Sequence, residues 1–397
     1  MKKKISFILA LIMISSVFYS TSIYAGAAVT TNKISFGNSD IQTIFDVKNN
    51  KYGDITSTNL GGICAGTANN RLFCVKSNSD EEVGTLYYYN DIYNENFKDI
   101  KKKAPKRITF IDGLLGHANA MAVDDKYVYV TMFQKEGTEK NSIIRISREA
   151  ITHLKDGDVV SKSRTTVKDS NNNEYVIYTT YEPKKTNGDP YTKSITAITT
   201  YKYKVWTVKV GELEEEHRED KFIINYPNGK EKLGYTIATL TDDGRFLVST
   251  SKDDLFYVNN TVYTDVPDDK KSDITMQDIF YDPQYGLFIA MWMKESTQNY
   301  VLRVDIRGLK TKNKTENLEL KPTDEISINK TKENLDEKTT RKITQFEIES
   351  IAFIKRNKKK ESTSYRFVFS CNKLSGKKGN MDSIEELKDF AKKVTKL

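Results

Sequence analysis

The sequence predicts an all-β protein, and within that class a β-propeller of five to seven blades, with six favoured. A short hydrophobic strand, a turn of Asp, Asn, Gly or Lys, and an aromatic-rich strand recur at 120–130, 236–248 and 278–290. The chain has 23 tyrosines and 18 phenylalanines, which favour half-buried pleated surfaces. Repeats of one β unit that cannot bury its own face indicate stacked blades or a solenoid.

Six such hairpin units can be distinguished, and they begin near Gly62, Ala120, Ile195, Thr236, Asp278 and Ser350. Two of the spacings are about 40 residues, the size of a four-stranded blade. Residues 30–380 are therefore expected to form a single propeller domain, in which residues 30–60 supply strands that close the ring. The charge-rich stretch 310–342 is expected to be an extended blade loop or a partly mobile excursion.

The N-terminus has the pattern of a secretory signal peptide covering residues 1–25, or 1–27. Three lysines precede an apolar core at 5–14, and small residues follow at 25–27. The apolar run is too short to span a bilayer, so no transmembrane anchor is expected. A buried N-terminal helix is the alternative. The pattern predicts a secreted, extracellular protein.

The net charge of +8 falls to +5 when residues 1–25, with three lysines and no acidic residue, are removed. Lysines cluster at 101–103, 355–360 and 377–378. These clusters could meet a cell-wall glycan or an anionic surface polymer, or they could be solvated loops. Nucleic acid is a poor partner because the protein is expected outside the cell and carries no recognised nucleic-acid module. A monomer is expected.

Three cysteines do not make a disulfide scaffold. Cys64 and Cys74 are placed symmetrically about Asn69, which would be the turn of a hairpin. Directly opposed residues on paired strands lie within disulfide range, so these two are expected either to form a bridge or to remain as two buried thiols. Cys371 has no evident partner.

An amphipathic helix is expected over 382–397, packed on the outside of the last blade. Ser383 and Glu386 fit a capping box, and lysines occupy the C-terminal end. The apolar residues of this segment share one helical face, namely Ile384, Leu387, Ala391 and Val394. A membrane or partner role for this helix is the alternative.

Polar side chains precede three of the predicted inner strands at equivalent positions. When Met121, Ile279 and Ile351 are aligned, the side chains four and two residues earlier form polar pairs: His117 and Asn119, Thr275 and Gln277, Glu347 and Glu349. Residues two apart point to the same side of a strand, so the pairs could converge at one mouth of the channel. Such a group would suit a sugar or Ca²⁺, with Glu347 and Glu349 as metal ligands. Alternatively, the channel wall is polar because water fills it.

Standard catalytic templates are missing from the sequence: it has no nucleophile elbow, zinc-protease motif, phosphate-binding loop or dinucleotide fingerprint. The first hypothesis is therefore ligand binding at the channel mouth. The second is an enzyme of lactonase, lyase or glycosidase type that uses Glu347 or Glu349 with His117. The third is an interaction scaffold that uses a flat face and the basic loops. Fold alone does not choose among them.

Two segments carry a resemblance to known proteins. Residues 116–130 resemble a His-containing inner-strand motif of secreted propellers of Gram-positive bacteria. Residues 345–353, followed by a strand ending in 370–372, resemble the Glu-x-Glu-Ser-Ile region of helveticin J-like proteins. The resemblance implies an extracellular propeller associated with bacteriocin activity or a cell surface, and it offers no catalytic set.

Overall fold

The structure is a computed structural model of the 397-residue chain. It describes residues 30–66, 71–90, 104–124, 126–132, 142–160, 164–168, 174–178, 195–199, 220–226, 230–240, 246–248, 255–282, 285–306, 318–334, 339–356, 364–375 and 378–394. The predicted signal peptide lies outside the described residues. Residues 32–397 form one compact unit. Within the described residues, no helix is long and apolar enough to cross a membrane.

The N-terminal segment supplies strands to two distant sheets and one hairpin. Its strands are β1 (Asn32–Phe36), β2 (Ile41–Asp46), β3 (Asn50–Tyr52) and β4 (Ile55–Ser57). Strands β3 and β4 pair with each other, whereas β1 and β2 join the fourth and fifth blades described below.

The first blade is an antiparallel meander with one added parallel strand at its outer edge. Its strands are β5 (Asn59–Gly66), β6 (Arg71–Ser77), β7 (Gly84–Tyr89), β8 (Lys106–Phe110) and β12 (Val159–Val160). Strand β12 pairs in parallel with β8, so the chain returns to this blade after it has begun the next one.

The second blade contains β9 (Met121–Val123), β10 (Tyr127–Met132), β11 (Ser142–Ser147) and β15 (Ile195–Thr199). A short helix, α1 (Arg148–His153), follows β11. A separate hairpin of β13 (Arg164–Lys168) and β14 (Glu174–Tyr178) precedes β15.

The third blade has β17 in its middle. Its strands are β16 (Asp220–Tyr226), β17 (Lys232–Leu240), β18 (Phe246–Val248), β19 (Leu255–Asn259) and β23 (Leu318–Leu320). Strands β18 and β19 pair with successive parts of β17. Helix α2 (Thr261–Asp265) and a 3₁₀ turn (Asp268–Asp273) then lead to the fourth blade.

The fourth blade is formed by β20 (Ile274–Asp282), β21 (Gly286–Met293), β22 (Gln298–Val304) and β24 (Asp324–Asn329). Strand β1 pairs in parallel with β24 and covers its outer edge. A small hairpin of β25 (Lys332–Asn334) and β26 (Thr340–Lys342) follows.

The fifth blade joins the two ends of the chain. It contains β27 (Gln345–Arg356), β28 (Ser364–Ser375) and β29 (Lys378–Leu387), and β2 pairs with β29 as the fourth strand. The N-terminal segment therefore closes the ring, as the sequence predicts. In this arrangement β2 covers the outer edge of β29.

The structure confirms the all-β propeller and sets the number of blades at five. The expected unit that begins at Ile195 is not a separate blade, because β15 pairs with β11 as the outer strand of the second blade. The stretch 310–342 is also not simply a loop. It holds β24, in which Asp324, Ile326 and Ile328 are buried between neighbouring strands.

Four apolar clusters fill the spaces between blades. The first and second blades share one cluster, the fourth and fifth share another, the third and fourth share a third, and the fifth and first share the last. The first, fourth and fifth blades therefore each contribute to two of these clusters, one on either face, which explains why strands such as β6 and β7 of the first blade are buried along nearly their whole length.

The C-terminal helix is shorter than predicted. Residues 378–387 extend β29, and helix α3 covers only Phe390–Val394. The expected capping box of Ser383 and Glu386 is wrong because both residues lie within the strand. Glu386 pairs with Arg366 at 3.1 Å, and the apolar period that suggested a helix is shared by a strand buried on both faces. The helix still packs on the last blade, since Phe390 stacks on Phe367 of β28 with centroids 4.6 Å apart.

Candidate functional site

The first strands of four blades contact one another: β20 lies against β27, β27 against β5, and β5 against β9. Three of these strands carry a bulge at matching positions. The register of pairing shifts between Leu60 and Ile63, between Met276 and Asp278, and between Ile348 and Ser350. Bulges redirect side chains and are frequent next to functional sites. The extra residues in β20 and β27 are Gln277 and Glu349, two of the residues selected from the sequence.

Gln277 and Glu347 meet across the boundary between the fourth and fifth blades. The amide nitrogen of Gln277 donates a hydrogen bond to Glu347 Oε1 over 2.6 Å. Both residues are half-buried, so part of each side chain faces solvent. The structure thus brings together two of the five side chains that the sequence selected.

Glu349 lies deeper than Glu347. It is buried, and its Oε1 accepts a 2.5 Å hydrogen bond from the amide of Asn372 on β28. The same amide lies 3.1 Å from Asn59 Oδ1 on β5. The fifth blade is therefore linked to the first through a chain of amides behind Glu349, and Glu349 supports the cluster rather than facing solvent.

The environment favours the neutral form of both carboxyl groups. Burial raises the pKa of Glu347 to about 7, against the hydrogen bond from Gln277, which lowers it. Burial and then the negative charge of Glu347 raise the pKa of Glu349 well above its usual range. Two nearby carboxyls that resist ionisation can share a proton or donate a hydrogen bond.

Asp278 lies next to this cluster, and the sequence did not single it out. Its Oδ2 accepts hydrogen bonds from Ser350 Oγ at 2.6 Å and from the backbone amide of Ile351 at 3.0 Å. Burial raises its pKa to about 8 in spite of these donors. The available sequence signal was weak: Asp278 and Ser350 each directly precede the aligned Ile279 and Ile351.

His117 is paired elsewhere. Its Nδ1 lies 3.0 Å from Glu81 Oε1, and its side chain is 28% exposed. Glu81 also lines a cleft of about 790 Å³ together with Asp80, Glu82 and Tyr52. The structure thus gives His117 a partner on the turn between β6 and β7 instead of a contact with Glu347 or Glu349.

Asn119 is half-buried just before β9, and the structure shows no contact between it and the Gln277–Glu347 pair. The preceding Ala118 has φ of 55° and accepts a 2.7 Å hydrogen bond from the amide of Gly62. This segment therefore docks on the first blade. Among the described residues, no group of three or more His, Cys, Asp or Glu side chains is placed to hold a metal ion. The proposed Ca²⁺ ligands Glu347 and Glu349 thus stay a prediction.

Of the two alternatives expected for Cys64 and Cys74, the structure has the two buried thiols. Both are free and buried, as is Cys371. Cys64 pairs with Phe73 and Ile63 with Cys74, one residue away from the expected register. A slip of one residue moves a side chain to the other face of the sheet. Cys64 accordingly packs toward the second blade and Cys74 toward the fifth.

The fold and the site define a five-bladed β-propeller with a cluster of carboxyl and amide groups where its fourth, fifth and first blades meet. No family model matches the chain, and no curated protein matches it. One similar solved structure is a subtype N11 neuraminidase-like protein of A/flat-faced bat/Peru/033/2010 (H18N11). It has a TM-score of 0.32 and 8% sequence identity, with 91% of this chain and 96% of that chain covered. The assignment to the propeller class rests on the strand pairing described above.

Proposed function

We propose that the protein is exported and binds a cell-surface glycan at the mouth of the propeller channel, with Gln277 and Glu347 as the direct contacts. The N-terminal pattern of the sequence supports export. The hydrogen-bonded pair of Gln277 and Glu347 carries the binding proposal, because it joins a donor and an acceptor from neighbouring blades in a partly open position.

The chemistry of the pair fits sugar hydroxyl groups, which both donate and accept hydrogen bonds. The Gln277 amide offers N–H donors and a carbonyl acceptor, and Glu347 offers carboxyl oxygens. Gln277 and Glu347 already hold each other in place through their hydrogen bond, so little ordering is needed when a ligand binds. An anionic surface polymer is a related ligand, which the net charge of +5 that remains without residues 1–25 would favour.

Calcium binding at this site would require free energy to ionise a carboxyl group. A carboxyl group must be ionised to coordinate Ca²⁺, and the pKa of Glu347 is about 7. Any calcium dependence of binding should therefore strengthen as pH rises through 7, whereas direct sugar binding through a neutral carboxyl should not.

The test is binding of the purified protein to isolated cell wall and to a glycan panel, with and without a chelator. Glu347→Gln and Gln277→Ala should each weaken binding about tenfold, since a hydrogen bond to a charged or polar partner is worth roughly 1–2 kcal/mol. Glu82→Gln is the matched control, because Glu82 is exposed and lines the other cleft. Wild-type affinity in both site variants, with normal thermal stability, would exclude this site.

An enzyme on the same scaffold is the second candidate, and one observation favours it. Two neighbouring carboxyl groups whose pKa values are raised resemble the arrangement that acid catalysis requires. The same panel, followed for release of products from lactones and glycosides, separates the two candidates. Turnover that Glu347→Gln abolishes would favour the enzyme, and binding without turnover would favour the receptor.

A further inference from the structure

Lys76 and Asp382 meet in the core between the first and last blades. Lys76 lies on β6, Asp382 lies on β29, and Lys76 Nζ is 2.5 Å from Asp382 Oδ2. The two side chains are 1% and 0% exposed. Lys76 Nζ also lies 3.0 Å from the carbonyl oxygen of Val47 and 2.5 Å from Asn49 Oδ1.

This contact is unusual for a buried ion pair. Within the part of the chain that the structure describes, the carboxyl oxygens of Asp382 have no hydrogen-bond partner other than the nitrogen of Lys76. A buried carboxylate with a single partner is costly, because little replaces its lost hydration. The close approach of nitrogen to the carboxyl group therefore requires an explanation other than a satisfied salt bridge.

The fifth blade, which holds Asp382, also contains a buried ion pair of the ordinary kind. Lys373 and Glu385 are also buried and lie 2.8 Å apart, but Glu385 accepts further hydrogen bonds from Thr43 and Ser383. Although burial opposes the charged forms, the lysines around Glu385 lower its pKa, and the acidic neighbours of Lys373 raise the pKa of that lysine. Lys373 and Glu385 therefore form a stable ion pair.

Lys76 and Asp382 are shifted in the opposite sense. Burial lowers the pKa of Lys76 and raises the pKa of Asp382, and in each case burial outweighs the attraction of the partner. Both shifts favour a neutral amine beside a neutral carboxylic acid. A neutral amine has a free lone pair, and a neutral acid has hydroxyl as a leaving group, so the pair is prepared for acyl transfer.

We propose that Lys76 and Asp382 form an intramolecular amide bond between Nζ and Cγ, which joins the first blade covalently to the last. The nitrogen lone pair attacks Cγ, the bond between Cγ and the hydroxyl oxygen breaks, and the nitrogen gives up one proton. The hydroxyl and that proton leave as one molecule of water. The reaction needs no oxidant, reductant or second substrate, and a site that excludes water favours the condensed product.

Asp382 is favoured over Asn49 as the acyl donor because Asp382 is fully buried, whereas Asn49 is exposed. The bond would stand beside the closure made by β2 and β29, where the backbone of Val47 donates a 2.8 Å hydrogen bond to the carbonyl oxygen of Asp382. It would convert a ring closed by hydrogen bonds into one closed covalently. A cross-link that spans most of the chain restricts the unfolded state strongly.

The test is the mass of the purified, denatured protein and of its proteolytic peptides. The intact mass should be lower than the sequence mass of the mature chain by one water molecule. Digestion should give a branched peptide that joins the segments holding Lys76 and Asp382. An intact mass equal to the sequence mass of the mature chain, with linear peptides covering both residues, overturns the proposal. Loss of ammonia with a branch at Asn49 also overturns it.

Variants distinguish loss of the amide bond from loss of the folded structure. Lys76→Arg should abolish the branched peptide, whereas Lys373→Arg, the matched control at another buried lysine, should retain it. Asp382→Asn should give the same branch with loss of ammonia in place of water. If a variant fails to fold, peptide mapping of the wild-type protein alone still decides the matter.

Discussion

Ser350 Oγ donates a 2.6 Å hydrogen bond to Asp278 Oδ2 and accepts a 3.0 Å hydrogen bond from the backbone amide of Ile63. One hydroxyl group thus connects the first strands of the fourth, fifth and first blades. Gly62 continues the series by donating to the carbonyl oxygen of Ala118 in front of the second blade. The contacts between blades are therefore polar and directional near the bulges, although apolar clusters fill the space between the sheets.

Ser350→Ala should destabilise the protein by about 1–3 kcal/mol, because it removes one hydrogen-bond donor from the buried Asp278 carboxyl and the hydroxyl acceptor from the Ile63 amide. Urea unfolding, with the midpoint compared at constant slope, measures the change. Ser79→Ala is the control, since Ser79 is exposed on a turn. Equal midpoints for the two variants would show that the hydroxyl does not hold the blades together.

Stability should decrease as pH rises from 5 to 8. The folded pKa values of Glu347 and Asp278, about 7 and about 8, lie above their unfolded values. The unfolded chain therefore ionises first, and the stability these groups contribute is complete below about pH 4 and lost as pH rises through 7 and 8. Denaturant unfolding at a series of pH values measures this slope.

Glu347→Gln should remove part of the slope, on the order of 2 kcal/mol over this range. Glu333→Gln is the contrasting variant. The pKa of Glu333 is about 2, because Lys373 and Lys330 outweigh its burial, so this group is ionised in both states above pH 5. Its loss should lower stability without changing the slope. A slope that Glu347→Gln leaves intact would contradict the assignment.

Strand periodicity and aromatic content were sufficient to predict the propeller and the closing role of its N-terminal strands. They were insufficient for the number of blades, because β15 has the composition of an inner strand but pairs as an outer one. They also failed at 383–387, where Ser383 and Glu386 suggested a capping box. Glu385 is instead buried against Lys330, which follows β24, and Glu386 is buried against Arg366 of the neighbouring strand β28.

Part of the candidate site was predictable from the alignment of the inner strands. The polar pairs before the inner strands identified Gln277 and Glu347, which do meet. The partner of His117 lies on a turn far away in sequence, and the pairing of Glu349 with Asn372 depends on a bulge. Bulges and turn contacts depend on tertiary packing, and strand periodicity does not predict them.

The three cysteines should behave as buried thiols rather than as a bridge and one thiol. Burial raises the pKa values of Cys64, Cys74 and Cys371, so the reactive thiolate is scarce in the folded protein. Alkylation without reductant should be slow in the native state and should label all three residues after denaturation. If two cysteines become reactive only after reduction, the free state described above is wrong.

Gly61→Ala should destabilise the protein at the junction of the first and second blades. A Cβ atom at Gly61 would lie 2.5 Å from the carbonyl oxygen of Ala118, whose position is fixed by the hydrogen bond from Gly62. A backbone atom cannot rotate away as a side chain can, so β5 must separate from the segment before β9. We expect a loss of about 1–3 kcal/mol, as for other overpacked core positions.

Gly37→Ala provides the control for the change of residue type, because a Cβ atom there would meet nothing within 4 Å. The two variants differ in steric environment but share the same change in the entropy of the unfolded chain. Their difference in urea midpoint therefore isolates the close contact between β5 and Ala118.

The segment that Gly61 supports also carries His117, so Gly61→Ala should expose His117 and loosen its 3.0 Å contact with Glu81. The histidine ring resonances report that change, and they should move in Gly61→Ala but not in Gly37→Ala.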